Sequence, residues 1–414
     1  MKSAQRELPS QASQWALLAL VVLVGLNLRP FLTGPGPMLA TIRADTGLGY
    51  GGIALLTLLP MLLMGVGAFL SPGIHAIVGT RRGMLAALAV LMLGSLLRLV
   101  VQGGLSLILT AALCGVGVAF VQAVFPGIIK ARFPTKMSSV TGLYSAMIMG
   151  GGALGAQLTP LLSGPSGEWR TALAWLALPA AIALLAAHRT LADTKASAPD
   201  RSLTVTLLRR PRTWLLMVGF GLVNGGYSSM VAWLAPFYQA QGWGVAESGS
   251  LVAAMAIAQA VSALTIPMLA ARSRDRRPWL WATLVLQGIG FSGLAFYPSV
   301  APILWTVICG AGLGGCFALS LVTALDHLPR PEQAGALAAL MQGGGFLIAA
   351  LAPLATAMLH DWSGSFATGW TMHLACVAIT IALYVRLDPA RYVQAMEMSG
   401  PLGGNNTREA ASNC

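Results

Sequence analysis

WALLALVVLVGLNLRPFL, residues Trp15 to Leu32, contains a single charged side chain, Arg29. A helix needs about 20 apolar residues to cross the hydrocarbon core of a bilayer. The stretch therefore reads as a membrane span entered from the polar segment Met1 to Ser13. It is too long for a signal-peptide core and ends in no small-residue cleavage site, so a retained first helix is expected. Inside such a span a lone cation costs at least ~3 kcal/mol, and it usually lines a watery path or meets a ligand. Counting ~1.5 Å per residue from Trp15 puts Arg29 about 20 Å along the helix, just outside the midplane. Pro30 follows at once and cannot donate to the carbonyl of Leu26. Gly34-Pro35-Gly36-Pro37 loosens the outer end further. Two readings stand for Arg29. One is a bent helix that binds substrate through its cation. The other is a structural cation held by backbone carbonyls or hydroxyls. A guanidinium is planar, rich in donors and permanently charged, so the first reading points to a small anion.

Composition places the rest of the chain in the same medium. Of its 414 residues, 56% are hydrophobic and 9% charged, against about a quarter charged in soluble domains. A soluble protein is excluded. The net charge of +12 sits mostly in short loops between apolar runs, which argues against nucleic acid as a partner. Five scattered cysteines form no CxxC pair, so neither a disulfide framework nor a metal site is expected, and no cofactor is called for.

Twelve spans can be marked, roughly 14–39, 49–72, 83–101, 104–127, 138–162, 170–187, 213–237, 247–271, 278–297, 301–324, 335–358 and 368–386. The long polar connection 188–212 divides them into halves, 14–187 and 213–386. Of 25 Lys and Arg residues, all but four lie in the termini and even-numbered loops. Arg43 and Arg170 fall on the other side; Arg29 and Arg98 lie within spans. The positive-inside rule then puts both termini in the cytoplasm. The first 13 residues form a cytoplasmic N-terminus, and 387–414 are expected to be a disordered cytoplasmic tail.

The halves repeat each other. Cys114-Gly115-Val116-Gly117 returns as Cys309-Gly310-Ala311-Gly312, an offset of 195. Pro134 and Pro329, Pro72 and Pro267, and Arg81-Arg82 and Arg276-Arg277 keep the same spacing. Gly150-Gly151-Gly152 with Pro160 returns as Gly343-Gly344-Gly345 with Pro353, offset 193. Parallel halves of this kind are a transporter architecture, with substrate held between them near the midplane.

With these features the chain resembles the major facilitator superfamily. Gly79-Thr80-Arg81-Arg82-Gly83 is similar to the end of that family's signature loop, although the acid expected near Ala76 is missing. Leu26-Asn27-Leu28-Arg29-Pro30, the run Gly221 to Ser229, the run Ala232 to Tyr238, Ala324-Leu325-Asp326-His327 and Met341-Gln342-Gly343 are similar to the cyanate permease CynX group. That group includes a 2-nitroimidazole transporter. The resemblance implies an all-α fold of twelve transmembrane helices in two pseudo-symmetric six-helix bundles. It also implies an alternating-access carrier of the bacterial inner membrane for cyanate or another small, flat, polar solute. A neutral compound such as a nitroimidazole is the alternative cargo.

Around Arg29 a small anion needs amide donors and an aromatic wall. Asn27, Asn224 and Tyr227 supply that inventory, the last two sharing one face of span 7. Interhelical hydrogen bonding is the competing role for each. Gln122, Gln259 and Gln342 are deep polar candidates, with Tyr144 and Gln157 ranked below them. Trp233 fits either a gate or an interface anchor. Arg98 reads as a cation snorkelling to the outer interface or making a structural contact. Arg81, Arg82 and Asp326 read as inner-gate or structural residues; Asp326 either pairs with a loop arginine as the gate closes, the favoured role, or accepts a proton. No Asp or Glu lies well inside any span, so facilitated diffusion or anion exchange is expected at least as readily as proton symport. The partners are then a small solute and the bilayer, and the chain acts as a monomer. A polytopic enzyme would need clustered catalytic side chains, and the five histidines are isolated.

Overall fold

The computed structural model describes residues 11–48, 50–163, 168–192 and 201–396. The expected N-terminal segment, the middle of the linker and the end of the tail lie largely outside these. Every regular element among the described residues is helical. The first span is broken into α1 (Gln11–Asn27) and α2 (Pro30–Thr33), and α3 (Leu39–Thr46) follows. Then come α4 (Tyr50–Val78), α5 (Thr80–Leu96), α6 (Gly104–Arg132) and α7 (Met137–Ser163). The sixth span is α8 (Trp169–Ala174) plus α9 (Ala177–Thr190). A short α10 (Arg201–Leu208) stands in the linker. The second set is α11 (Pro211–Gln239), α12 (Val245–Ala270), α13 (Arg277–Phe296), α14 (Pro302–Asp326), α15 (Pro331–Ser363) and α16 (Ala367–Tyr384). Ten of these segments are long and apolar enough to cross a membrane, with a shorter apolar stretch at Leu55–Ser71. The helix α7 has the length but is less apolar; it packs on α1 and α12 and leaves Leu154, Leu161 and Leu162 exposed.

The tail departs from expectation. A last helix, α17 (Tyr392–Met396), buries Tyr392 and Met396, and the Tyr392 ring stacks on His327 at 3.8 Å. Two apolar side chains with a place to dock are enough to order 387–396.

The repeat is physical. Gly94 of α5 meets Cys114 of α6, and Gly290 of α13 meets Cys309 of α14. Gly115 lies on Pro60 as Gly310 lies on Met255. Gly151 packs on Leu26 as Gly345 packs on Phe220 and Gly221. Each pair keeps nearly the same offset, so the same small residues let the same helices approach in both sets.

Prolines within the helices leave carbonyls that neighbours must answer. Pro35 cannot donate to Phe31, and Nη2 of Arg98 donates there instead at 3.3 Å. Pro126 cannot donate to Gln122, whose carbonyl accepts from Nε2 of Gln342 at 3.0 Å. Pro353 cannot donate to Ala349, whose carbonyl accepts from Oγ of Ser228 at 2.8 Å. The carbonyl of Leu26, freed by Pro30, is where Gly151 lies closest.

Candidate substrate site

Arg29 sits in the break between α1 and α2, with φ −120° and ψ −25°. Its backbone carbonyl caps the short helix by accepting from Leu32 and Thr33. Oγ1 of Thr33 donates to Gly152 at 2.7 Å and ties the broken segment to α7. Only 1% of Arg29 is exposed. Its Cζ lies 5.0 Å from the Tyr227 ring centroid and 5.8 Å from that of Phe346, within cation–π range. Nε and Nη2 are buried without a hydrogen-bond partner.

The neighbours form a closed circuit. Phe346 is one turn from Gln342 on α15, and Gln342 bonds the backbone of Gln122 on α6. Phe125, three residues on, meets Tyr144 of α7 at 5.1 Å between ring centroids. Tyr144 lies within electrostatic reach of Arg29, which closes the ring. Nε2 and Oε1 of Gln122, Oε1 of Gln342 and the Tyr144 hydroxyl are all buried and unpartnered. Buried polar atoms are usually satisfied, so these atoms, linked to Arg29 through Phe346 and Tyr144, are candidates to meet a bound solute.

The candidate residues divide accordingly. Arg29, Tyr227, Gln122 and Gln342 come together. Asn224 lies on the same face of α11 as Tyr227, and its Nδ2 donates to the Phe220 carbonyl at 2.8 Å. Asn27 faces elsewhere: its Nδ2 donates to Leu23 and to Pro179 of α9. Trp233 donates to the Pro353 carbonyl at 2.9 Å and stays within its own half. Gln259 is buried where Gly314 packs against its backbone, in the α12–α14 interface. Gln157 is exposed. Tyr144 belongs closer to the centre than its sequence rank suggested.

Arg98 does not snorkel. It is 0% exposed and supports the Phe31 carbonyl, two residues from Arg29. Its own Nε and Nη1 are buried without partners. The cation that might have reached water is the strut of the broken first helix.

The gate also rearranges. Nη2 of Arg81 donates to the His188 carbonyl, joining α5 to α9 within one half; Arg82 is exposed. Asp326 pairs with Arg276 at 3.1 Å, again within one half. Among the described residues at this end, Lys130 reaches across the halves: its Nζ donates to the carbonyls of Leu325 and Leu328 at the end of α14. Nothing in the sequence separated Lys130 from an ordinary loop cation. Nearby, Oγ of Ser138 donates to Pro267 at 2.7 Å, and Gly127 meets Gly335. Burial pushes the His327 imidazole down to about 4, so it is neutral at physiological pH. At the opposite end the ties stay within one half. Asp45 pairs with Arg170 at 2.6 Å, and hydrogen bonds from Trp169 and Arg170 hold its carboxyl below the usual range. The halves are thus clasped at the end bearing the basic loops. Lys130→Met is expected to loosen that clasp, because two carbonyls at a helix end lose their donor. In a cysteine-free background, thiol labelling of Thr323→Cys should then speed up severalfold; an unchanged rate would show that Lys130 is not a latch.

A helical bundle that buries an unpaired cation among five helices, with proline-broken spans beside it, is a membrane transporter. The Major Facilitator Superfamily pattern matches residues 15–353 and 236–401. The chain belongs to the Major Facilitator Superfamily. It is 43% identical to the cyanate transport protein CynX of Escherichia coli (strain K12) over 379 residues, 91% of this chain and 98% of that one. It is 30% identical to a 2-nitroimidazole transporter of the same organism over 366 residues, 88% of this chain and 92% of the other. The solved structure of the E. coli fucose:proton symporter FucP is similar in fold, with TM-score 0.70, 12% identity, and coverage of 90% of this chain and 98% of that one.

Proposed function

We propose that this transporter carries cyanate or a similar small anion, bound at Arg29 between two halves, 14–187 and 213–386, that rock about it. One observation carries the reading: a buried guanidinium at the break of the first span faces the Tyr227 and Phe346 rings of the other half, with two N–H groups unpartnered and no carboxylate among its described contacts. An arriving anion supplies the missing counter-charge. The 43% identity to a cyanate transport protein supports the same cargo. The distribution of basic residues supports residence in the bacterial inner membrane with both termini in the cytoplasm. One chain supplies the residues of the proposed site, which supports action as a monomer, and the relatives are transport proteins.

Gln122, Gln342 and Tyr144 contact the far side of the anion, and Tyr227 and Phe346 wall it. Asn224 stands next to Tyr227 as a further donor or acceptor. The aromatic wall also suits a flat neutral solute such as 2-nitroimidazole, which is the second reading.

Acidic residues of the described spans stand at helix ends, at Glu247, Asp326, Glu332 and Asp361. A proton-coupled carrier needs a titratable group in its path. The carboxylates stand at span ends and His373 of α16 is the buried histidine within a span, a distribution that supports facilitated diffusion or anion exchange at least as well as proton symport. Labelled cyanate uptake by proteoliposomes should change less than about twofold with an imposed pH gradient and should be stimulated by anion inside. Concentrative uptake driven by the gradient alone would overturn the uncoupled reading.

A further inference from the structure

The donor geometry at Arg29 says more about the cargo than its charge does. The two unpartnered nitrogens, Nε and Nη2, lie along one edge of the guanidinium. The ring faces of Tyr227 and Phe346 lie over the cation, and their centroids are 5.0 and 5.8 Å from Cζ. The cation is thus flanked by rings, while the two donors of one edge have no protein acceptor. A ligand arriving at that edge lies in the plane of the guanidinium. Two parallel N–H groups match two oxygens held side by side in one plane, the bidentate fork that selects carboxylates. A linear ion presents one terminal atom and can satisfy only one donor well. Both amide atoms of Gln122, Oε1 of Gln342 and the Tyr144 hydroxyl are also buried without partners.

Resting on the assignment of substrate binding to Arg29, we infer that the site prefers flat anions with two coplanar oxygens, simple carboxylates and nitrate, over linear anions of equal charge. Such an anion is then a second cargo, able to occupy the site that a cyanate-like ion leaves and so to serve as the exchange partner.

Equilibrium dialysis of the purified full-length protein tests this, at constant ionic strength in chloride, with labelled formate as the probe. Formate should bind, and nitrate should displace it at roughly tenfold lower concentration than azide or thiocyanate. In Arg29→Lys the ammonium has no fork, so the nitrate-to-azide ratio should collapse to within about twofold. Failure of formate to bind, stronger displacement by the linear ions, or a ratio that survives Arg29→Lys would each overturn the preference. The two readings fail separately. If labelled cyanate binds and is lost in Arg29→Ala while formate never binds, only the planar preference falls. If neither label depends on Arg29, the site assignment falls with it.

Discussion

Arg29→Ala is expected to abolish transport, with binding of the anion weakened at least ~30-fold. Losing a buried charged hydrogen-bonding partner costs roughly 2–5 kcal/mol, and about 1.4 kcal/mol is a factor of ten. Stability should move the other way. In the empty protein Arg29 is a buried cation with two unpartnered N–H groups, and removing an uncompensated buried charge relieves a desolvation cost. Two cation–π contacts are lost in return, each worth about 1 kcal/mol. The substrate-free unfolding temperature should therefore stay level or rise, while the shift on adding substrate disappears. Arg29→Lys should transport poorly, because one ammonium cannot serve both positions of the fork. Full uptake by the lysine variant would mean that charge alone matters. Full uptake by the alanine variant would remove Arg29 from the site.

The second large effect falls on adjacent glycines. A Cβ on Gly151 would stand 2.3 Å from the Leu26 carbonyl oxygen and 2.9 Å from its carbon. These are backbone atoms of the broken first span, and they cannot rotate away. A Cβ on Gly150 would meet nothing within 4 Å. Gly151→Ala should force α7 away from α1, destabilise by ~1–3 kcal/mol or more and displace Arg29 from Tyr144, so transport falls steeply. Gly150→Ala should gain about 0.5–1 kcal/mol from helix propensity and transport normally. Unfolding temperature and uptake of the two variants check this side by side. Equal behaviour of the pair would show that the α1–α7 contact does not position the site.

Arg29 was legible in the sequence because a lone charge among apolar neighbours is conspicuous at any depth. The break beside it was legible too, since Pro30 must free the Leu26 carbonyl. What answers a freed carbonyl was not legible. Arg98 reaches Phe31 from 67 residues away, and Gln342 reaches Gln122 from 220 away. Only the fold brings such donors to their acceptors. Asn27 shows a different limit. It is the last residue of α1, before the break that holds Arg29, and the sequence alone does not say which way its side chain turns. Its amide instead joins α1 to α9. The pairing of Asn224 with Tyr227 survived because their spacing of three keeps them on one face. Lys130 was hidden for a chemical reason. Its neighbours Arg132 and Lys136 are ordinary loop cations, and only the end of α14 distinguishes it.

A structure determined with cyanate bound is the most direct measurement. The anion should lie ~2.7–2.9 Å from Nε or Nη2 of Arg29, between the Tyr227 ring and the amides of Gln122 and Gln342. An anion bound elsewhere, with Arg29 still unpartnered or paired to the protein itself, would contradict the account.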